Sequence, residues 1–172
     1  MAEAEGNPVD MQAADAFWRF SVELYAKPGV EPALLTLQDV DGLEINLVLF
    51  CLFAGARGRR LDEAAIASLR KQARIWGQGV VGPLRTARRS LKPLLSASAA
   101  AGPLRAEVKR LELMAERAMQ AALVGLPGDL AAGAAGRALA EANLAAYVAV
   151  EGCAGDGRAF RIVLDAAFTR EA

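Results

Sequence analysis

Apolar residues recur along this chain at intervals of three and four, and no stretch alternates strictly between apolar and polar, so the sequence reads as helical nearly throughout. A first helix is expected over residues 10–26. Phe17, Phe20 and Leu24 line one stripe, Trp18, Val22 and Tyr25 widen it, and Arg19 and Glu23 point outward. Lys27-Pro28-Gly29 ends it, because proline brings no backbone donor and glycine turns freely. A short helix over 31–39 carries Leu34, Leu35 and Leu37, and Asp41-Gly42 then breaks the chain. The third helix, over 43–54, is apolar on nearly every side, which predicts the central buried element.

The fourth helix opens at Leu61-Asp62-Glu63, whose carboxylates suit the positive end of the helix dipole, and sets Ile66, Leu69, Ala73 and Trp76 on one face. The glycines at 77, 79 and 82 predict a bend, with Pro83 in the first turn of a fifth helix reaching residue 95. There Leu84, Ala87, Leu91 and Leu95 are expected to face the core, and 96–102 reads as a small-residue linker. The sixth helix, over 103–124, spaces Leu104, Val108, Leu111, Ala115, Ala118 and Ala122 alternately by four and three. Such a seam packs inside a bundle or joins a second copy in a homodimer. After a turn at Leu126-Pro127-Gly128-Asp129, an alanine-rich helix weakened by Gly133 and Gly136 runs to about residue 150. A last helix, capped by Asp156, buries Phe160, Val163, Leu164, Ala167 and Phe168. The expected fold is all-α: a single domain over 1–172, a bundle of about seven helices.

Composition narrows the chemistry. The chain contains no histidine, which removes imidazole acid/base catalysis and histidine-bound zinc, and its two cysteines cannot form a four-thiolate site. Cys51 sits in the most apolar segment as a small core residue, and Cys153 is expected to be a free thiol. The first five residues are small and acidic, unlike a secretory signal, and the longest apolar run, 47–56, spans about 15 Å as a helix. A bilayer core needs roughly 30 Å, so no membrane span is expected and a cytoplasmic location follows. No cofactor is expected.

The net charge is zero, but it is unevenly spread: −7 over 1–56, +8 over 57–92 and −1 over 93–172. In the basic segment Arg85, Arg88, Arg89 and Lys92 fall at i, i+3, i+4 and i+7, within about 100° of helical arc, a single cationic stripe. Arg70, Lys71 and Arg74 add a cluster on the fourth helix, and Arg57, Arg59 and Arg60 precede it. Two readings are open. The stripe packs beside the acidic first third of the chain, where surface ion pairs contribute only about 0–1 kcal/mol each. Otherwise it faces outward and receives an anion.

Other motifs lose their force on inspection. Gly77-Gln78-Gly79-Val80-Val81-Gly82 spells a dinucleotide fingerprint, but a helix precedes it where a strand is required, and Gly102 stands where the ribose-binding acid belongs. What survives is a glycine bend whose backbone donors bind an anion beside Arg85, or glycines that merely let two helices turn. Asp39-Val40-Asp41-Gly42 resembles part of a calcium loop, but Leu37 and Val48 would occupy its first and twelfth ligand positions. Asp62 and Glu63 are adjacent and do not face a shared substrate, and no serine has a base partner.

One ordered set of residues remains: Phe17-Trp18-Arg19-Phe20-Ser21, Leu24-Tyr25, Gly29-Val30, Leu34-Leu35-Thr36-Leu37-Gln38-Asp39, Gly42, Asn46-Leu47 and Leu49-Phe50. It continues through Trp76, Val80-Val81, Pro83-Leu84-Arg85, Arg88-Arg89 and Leu91-Lys92. Over residues 12–95 this set resembles a family of small proteobacterial proteins of unknown function, departing from it in lacking a tryptophan near Phe53. The resemblance implies a bacterial cytoplasmic protein and brings no activity, cofactor or catalytic residue. The Ala/Gly-rich helices over 103–170 lie outside it.

The function expected is non-enzymatic binding. Arg85, Arg88, Arg89 and Lys92, joined by Arg70 and Arg74, would hold an anionic macromolecule such as nucleic acid, an acidic protein surface or a phosphorylated ligand. The alternative is a small-molecule carrier or enzyme whose apolar bundle cavity holds an acidic ligand anchored by Arg85.

Overall fold

The computed structural model describes residues 11–125, 129–130 and 135–169. Among the described residues eight α-helices follow one another: α1 (Met11–Tyr25), α2 (Val30–Asp39), α3 (Ile45–Ala56), α4 (Glu63–Trp76), α5 (Gly82–Ser90), α6 (Ala101–Val124), α7 (Arg137–Glu151) and α8 (Gly157–Phe168). One π-turn, Gly77–Val81, carries α4 into α5 without a break, so the eight form seven rods. Two-residue strands, β1 (Arg59–Arg60) and β2 (Asp129–Leu130), pair antiparallel. The expected all-α bundle is what the chain forms.

Helix α3 is the axis of the bundle. Every residue from Asn46 to Gly55 is buried, as an unbroken apolar surface demands, and the helix packs most extensively on α7. The approach is close: a Cβ on Gly55 would lie 2.5 Å from the backbone of Ala140. Gly136 donates its N–H to the Gly55 carbonyl at 2.9 Å, fastening the start of α7 to the same point. Beside it Asn143, wholly buried, accepts from Leu61 N–H and donates to the carbonyls of Arg59 and Cys51. A buried amide satisfied on both ends ties three segments together where a bare one would destabilise them. Side-chain caps start three helices: Glu44 on α3, Asp62 on α4 and Asp156 on α8. Asp41, from the calcium-like tetrapeptide, accepts from the Asp156 N–H at 3.0 Å and so locks the entry to α8. Phe17 and Phe50 meet edge-on, with ring centroids 5.3 Å apart, in one core shared by seven of the eight helices.

Three expectations need correction. The glycines at 77, 79 and 82 do not interrupt the helix, which continues through a π-turn. Gly77 N–H donates to Ala73 and Arg74, and Gly82 N–H donates back to Gly77, so these two backbone donors are spent inside the helix and not offered to an anion. Gly82 is needed for that closure, because a Cβ would lie 2.7 Å from the Gly77 carbonyl oxygen. Helix α5 ends at Ser90 and a 3₁₀ turn, Pro93–Ser96, follows; Leu95 is exposed, Leu84 and Leu91 are half-buried, and α5 buries no residue fully. On α6 the buried face is Glu112, Ala115, Met119 and Leu123, whereas Leu104 and Leu111 of the expected seam are exposed. Most of the turn at 126–129, with Gly133, lies outside the described residues. No helix among the described residues is long and apolar enough to cross a membrane.

Candidate functional site

The cationic stripe divides on folding. Arg85 and Arg88 turn toward α6, where Glu112 and Glu116 stand one turn apart. Arg85 donates from Nε to Glu112 Oε1 at 3.2 Å and from Nη2 to Glu116 Oε1 at 2.9 Å. Arg88 donates from Nε to Glu112 Oε2 at 2.5 Å and from Nη2 to Oε1 at 3.3 Å. On α4, Arg70 pairs with Glu151 of α7 at 2.5 Å. Arg89 and Lys92 are exposed and, like Arg74, have no carboxylate partner among the described residues. Between described residues no ion pair joins 57–92 to the acidic first third; the partners come from α6 and α7 instead.

The two glutamates differ. Burial works against the charge of Glu112, but hydrogen bonds from Arg88 and Arg85 outweigh it and hold its carboxyl below the usual range. Glu116 takes a single contact from Arg85; burial, with the charges of Glu112 and Glu44, pushes its carboxyl up. The Tyr25 hydroxyl is pushed up as well, by burial and then by Glu31 and Glu116. Arg85 stays firmly charged despite its burial because both glutamates hold it.

This cluster forms one wall of a groove of about 610 Å³ between α1, the start of α3, and α6. Trp18, Val22, Tyr25, Leu49 and Leu113 make its walls apolar and aromatic. Along the floor Ser21, whose hydroxyl donates to the Phe17 carbonyl at 2.9 Å, lies 3.4 Å from Gln120 Oε1; Gln120 donates to Asn46 and Asn46 to Glu44. An apolar groove with a few convergent polar groups and shifted carboxyls is the usual form of a small-molecule site. On the other side of Arg85 lies a smaller cleft of about 300 Å³, reached by Arg70, Arg74, Glu44, Tyr147 and the π-turn.

Glu112 and Glu116 escaped the sequence reading because the leucines of α6 marked a different face as the buried one. Their spacing of four, matched to arginines three apart on α5, is the signal that pairs them.

Fold and site together describe an all-α bundle with a self-compensated ionic cluster beside an aromatic groove. Residues 16–123 match the family described as Protein of unknown function (DUF2390), and the chain belongs to that family. The match reaches through α6, beyond the resemblance over 12–95, and every residue lining the larger groove falls inside it. No curated protein and no solved structure matches the chain significantly.

Proposed function

We propose that the protein binds an amphiphilic small molecule with an acidic head, its apolar body between Trp18, Tyr25 and Leu113 and its head on Arg85. The observation that carries this reading is the inequality of the two glutamates around one guanidinium. Glu112 is held by three hydrogen bonds and stays; Glu116 is held by one and bears its charge unwillingly. An incoming carboxylate or phosphate takes the place of Glu116 on Arg85, and Glu116 accepts a proton. Binding is therefore coupled to proton uptake and tightens as pH falls through the raised Glu116 value.

Calorimetry with phenylacetate, indole-3-acetate and octanoate, in buffers of different ionisation enthalpy, tests it. Saturable binding with net proton uptake is expected, lost by about tenfold or more in Arg85→Met and made less pH-dependent in Glu116→Gln. No binding of any of the three, or binding indifferent to both substitutions, refutes it.

A second reading rests on Arg89 and Lys92, exposed and without carboxylate partners among the described residues: this edge of α5 holds an anionic macromolecule. It predicts retention on a polyanion column that Arg89→Glu with Lys92→Glu abolishes. Elution at low salt counts against it.

A further inference from the structure

The smaller cleft has its own chemistry, although Glu44 and Arg85 line both it and the groove. Its walls come from α4, the π-turn, the start of α3 and the end of α7, and its volume of about 300 Å³ is at the small end of ligand sites. Most of its charges are already committed: Arg70 to Glu151, and Arg85 to the α6 glutamates. Two are not. Arg74 has no carboxylate partner among the described residues, and Glu44 makes no ion pair among them. Glu44 uses Oε1 to cap α3 through Asn46, which leaves Oε2 beside Gly77, 3.7 Å from where a Cβ would stand. Gly77 and Arg74 are three residues apart, about 4.5 Å along the helix axis. The cleft therefore carries one cation and one anion that make no ion pair among the described residues.

A third group adds direction. Tyr147 is 1% exposed and lines the cleft, and its hydroxyl oxygen accepts from Glu44 N–H at 3.0 Å. Its own hydrogen has no acceptor among the described residues. Burial, first of all, keeps that hydroxyl protonated and available as a donor. A simple anion entering here would meet Glu44, and a simple cation would meet Arg74; neither gains without an opposing repulsion. A molecule carrying both charges satisfies both walls.

We infer that this cleft binds a small zwitterion of the amino-acid class, its carboxylate on Arg74 and the Tyr147 hydroxyl and its ammonium on Glu44. The test is calorimetry on the full chain with each of the twenty amino acids, and with matched probes bearing one charge, propionate and ethylamine for alanine. At least one amino acid is expected to bind saturably, with the single-charge probe of matching side chain weaker by tenfold or more. Arg74→Gln, at an exposed and unpaired position, should lose at least tenfold. Glu44→Gln, which keeps an oxygen for the α3 cap, should lose as much while leaving the far-ultraviolet circular dichroism unchanged. Arg88→Met, in the groove alone, should bind as the wild type does. The inference is overturned if no amino acid binds, if the carboxylate-only probe binds as tightly as its amino acid, or if Arg74→Gln and Glu44→Gln both retain wild-type affinity.

Discussion

Glu112 and Glu116 offer a comparison in which the same substitution, one helical turn apart, has different consequences. In Glu112→Gln the side chain keeps one acceptor oxygen where the carboxylate serves three hydrogen bonds from Arg85 and Arg88, two at Oε1 and one at Oε2. Hydrogen bonds to charged groups contribute about 1.5–3 kcal/mol each, and one or two of the three are lost, according to which oxygen the amide replaces. Glu112 itself is only 6% exposed, but the arginine side chains keep 30% and 24% of their surface in water. Solvent screening on that side brings the expected loss to about 2 kcal/mol. For a chain of this size that lowers the melting temperature by about 4–8 °C. Glu116→Gln keeps the oxygen that its single contact needs and removes a charge the fold disfavours, so its melting temperature should stay within about 1 °C of wild type or rise. Scanning calorimetry at pH 7 on the three proteins reads both. The pH dependence has a defined sign. Glu112 is depressed in the folded state, so its contribution is complete above the unfolded value near about 4.3 and is lost as pH falls through the folded value. The gap between wild type and Glu112→Gln should close in acid. A Glu112→Gln protein melting within a degree of wild type at pH 7, or a Glu116→Gln protein destabilised as much, would refute the account.

Two further substitutions probe the centre of the bundle. Gly55→Ala forces a Cβ to within 2.5 Å of the Ala140 backbone, so α3 and α7 must part; a loss of about 1–3 kcal/mol is expected from urea denaturation, with the slope unchanged. Asn143→Ala leaves the Leu61 N–H and the Arg59 and Cys51 carbonyls without their amide partner, and should cost about 3 kcal/mol by the same measurement. A neutral result at either position removes the corresponding contact from the explanation of the fold.

Which parts of this structure a reader of the sequence can see depends on whether the local pattern is decisive. Helix α3 is apolar all round and has no exposed face to choose, so its central place follows from composition alone. Helix α8 carries a cap, Asp156, and a regular stripe with Val163 and Leu164 at its buried centre, and both signals agree. Helix α5 has two stripes, one leucine-rich and one arginine-rich, and hydrophobicity favours the leucines. The structure half-buries the arginines as well, because α6 supplies carboxylates to receive them, and that is a property of another helix far along the chain. Helix α6 misleads for the converse reason: its leucines at 104 and 111 are exposed while Glu112 is buried in a charge pair. The candidate arginines were legible as a set; their division among a cluster, a cleft and an open edge was not.

The π-turn at Gly77–Val81 has a consequence beyond continuity of the rod. It amounts to one surplus amino acid spliced into an ordinary helix, and it re-phases everything after it by about 100°. Losing a single codon there would return the segment to ordinary helical phase and swing Arg85 and Arg88 off their glutamates, although no charged residue had changed. The wiring of the ionic cluster is thus held in the length of this glycine-containing segment, where one small deletion rewires it.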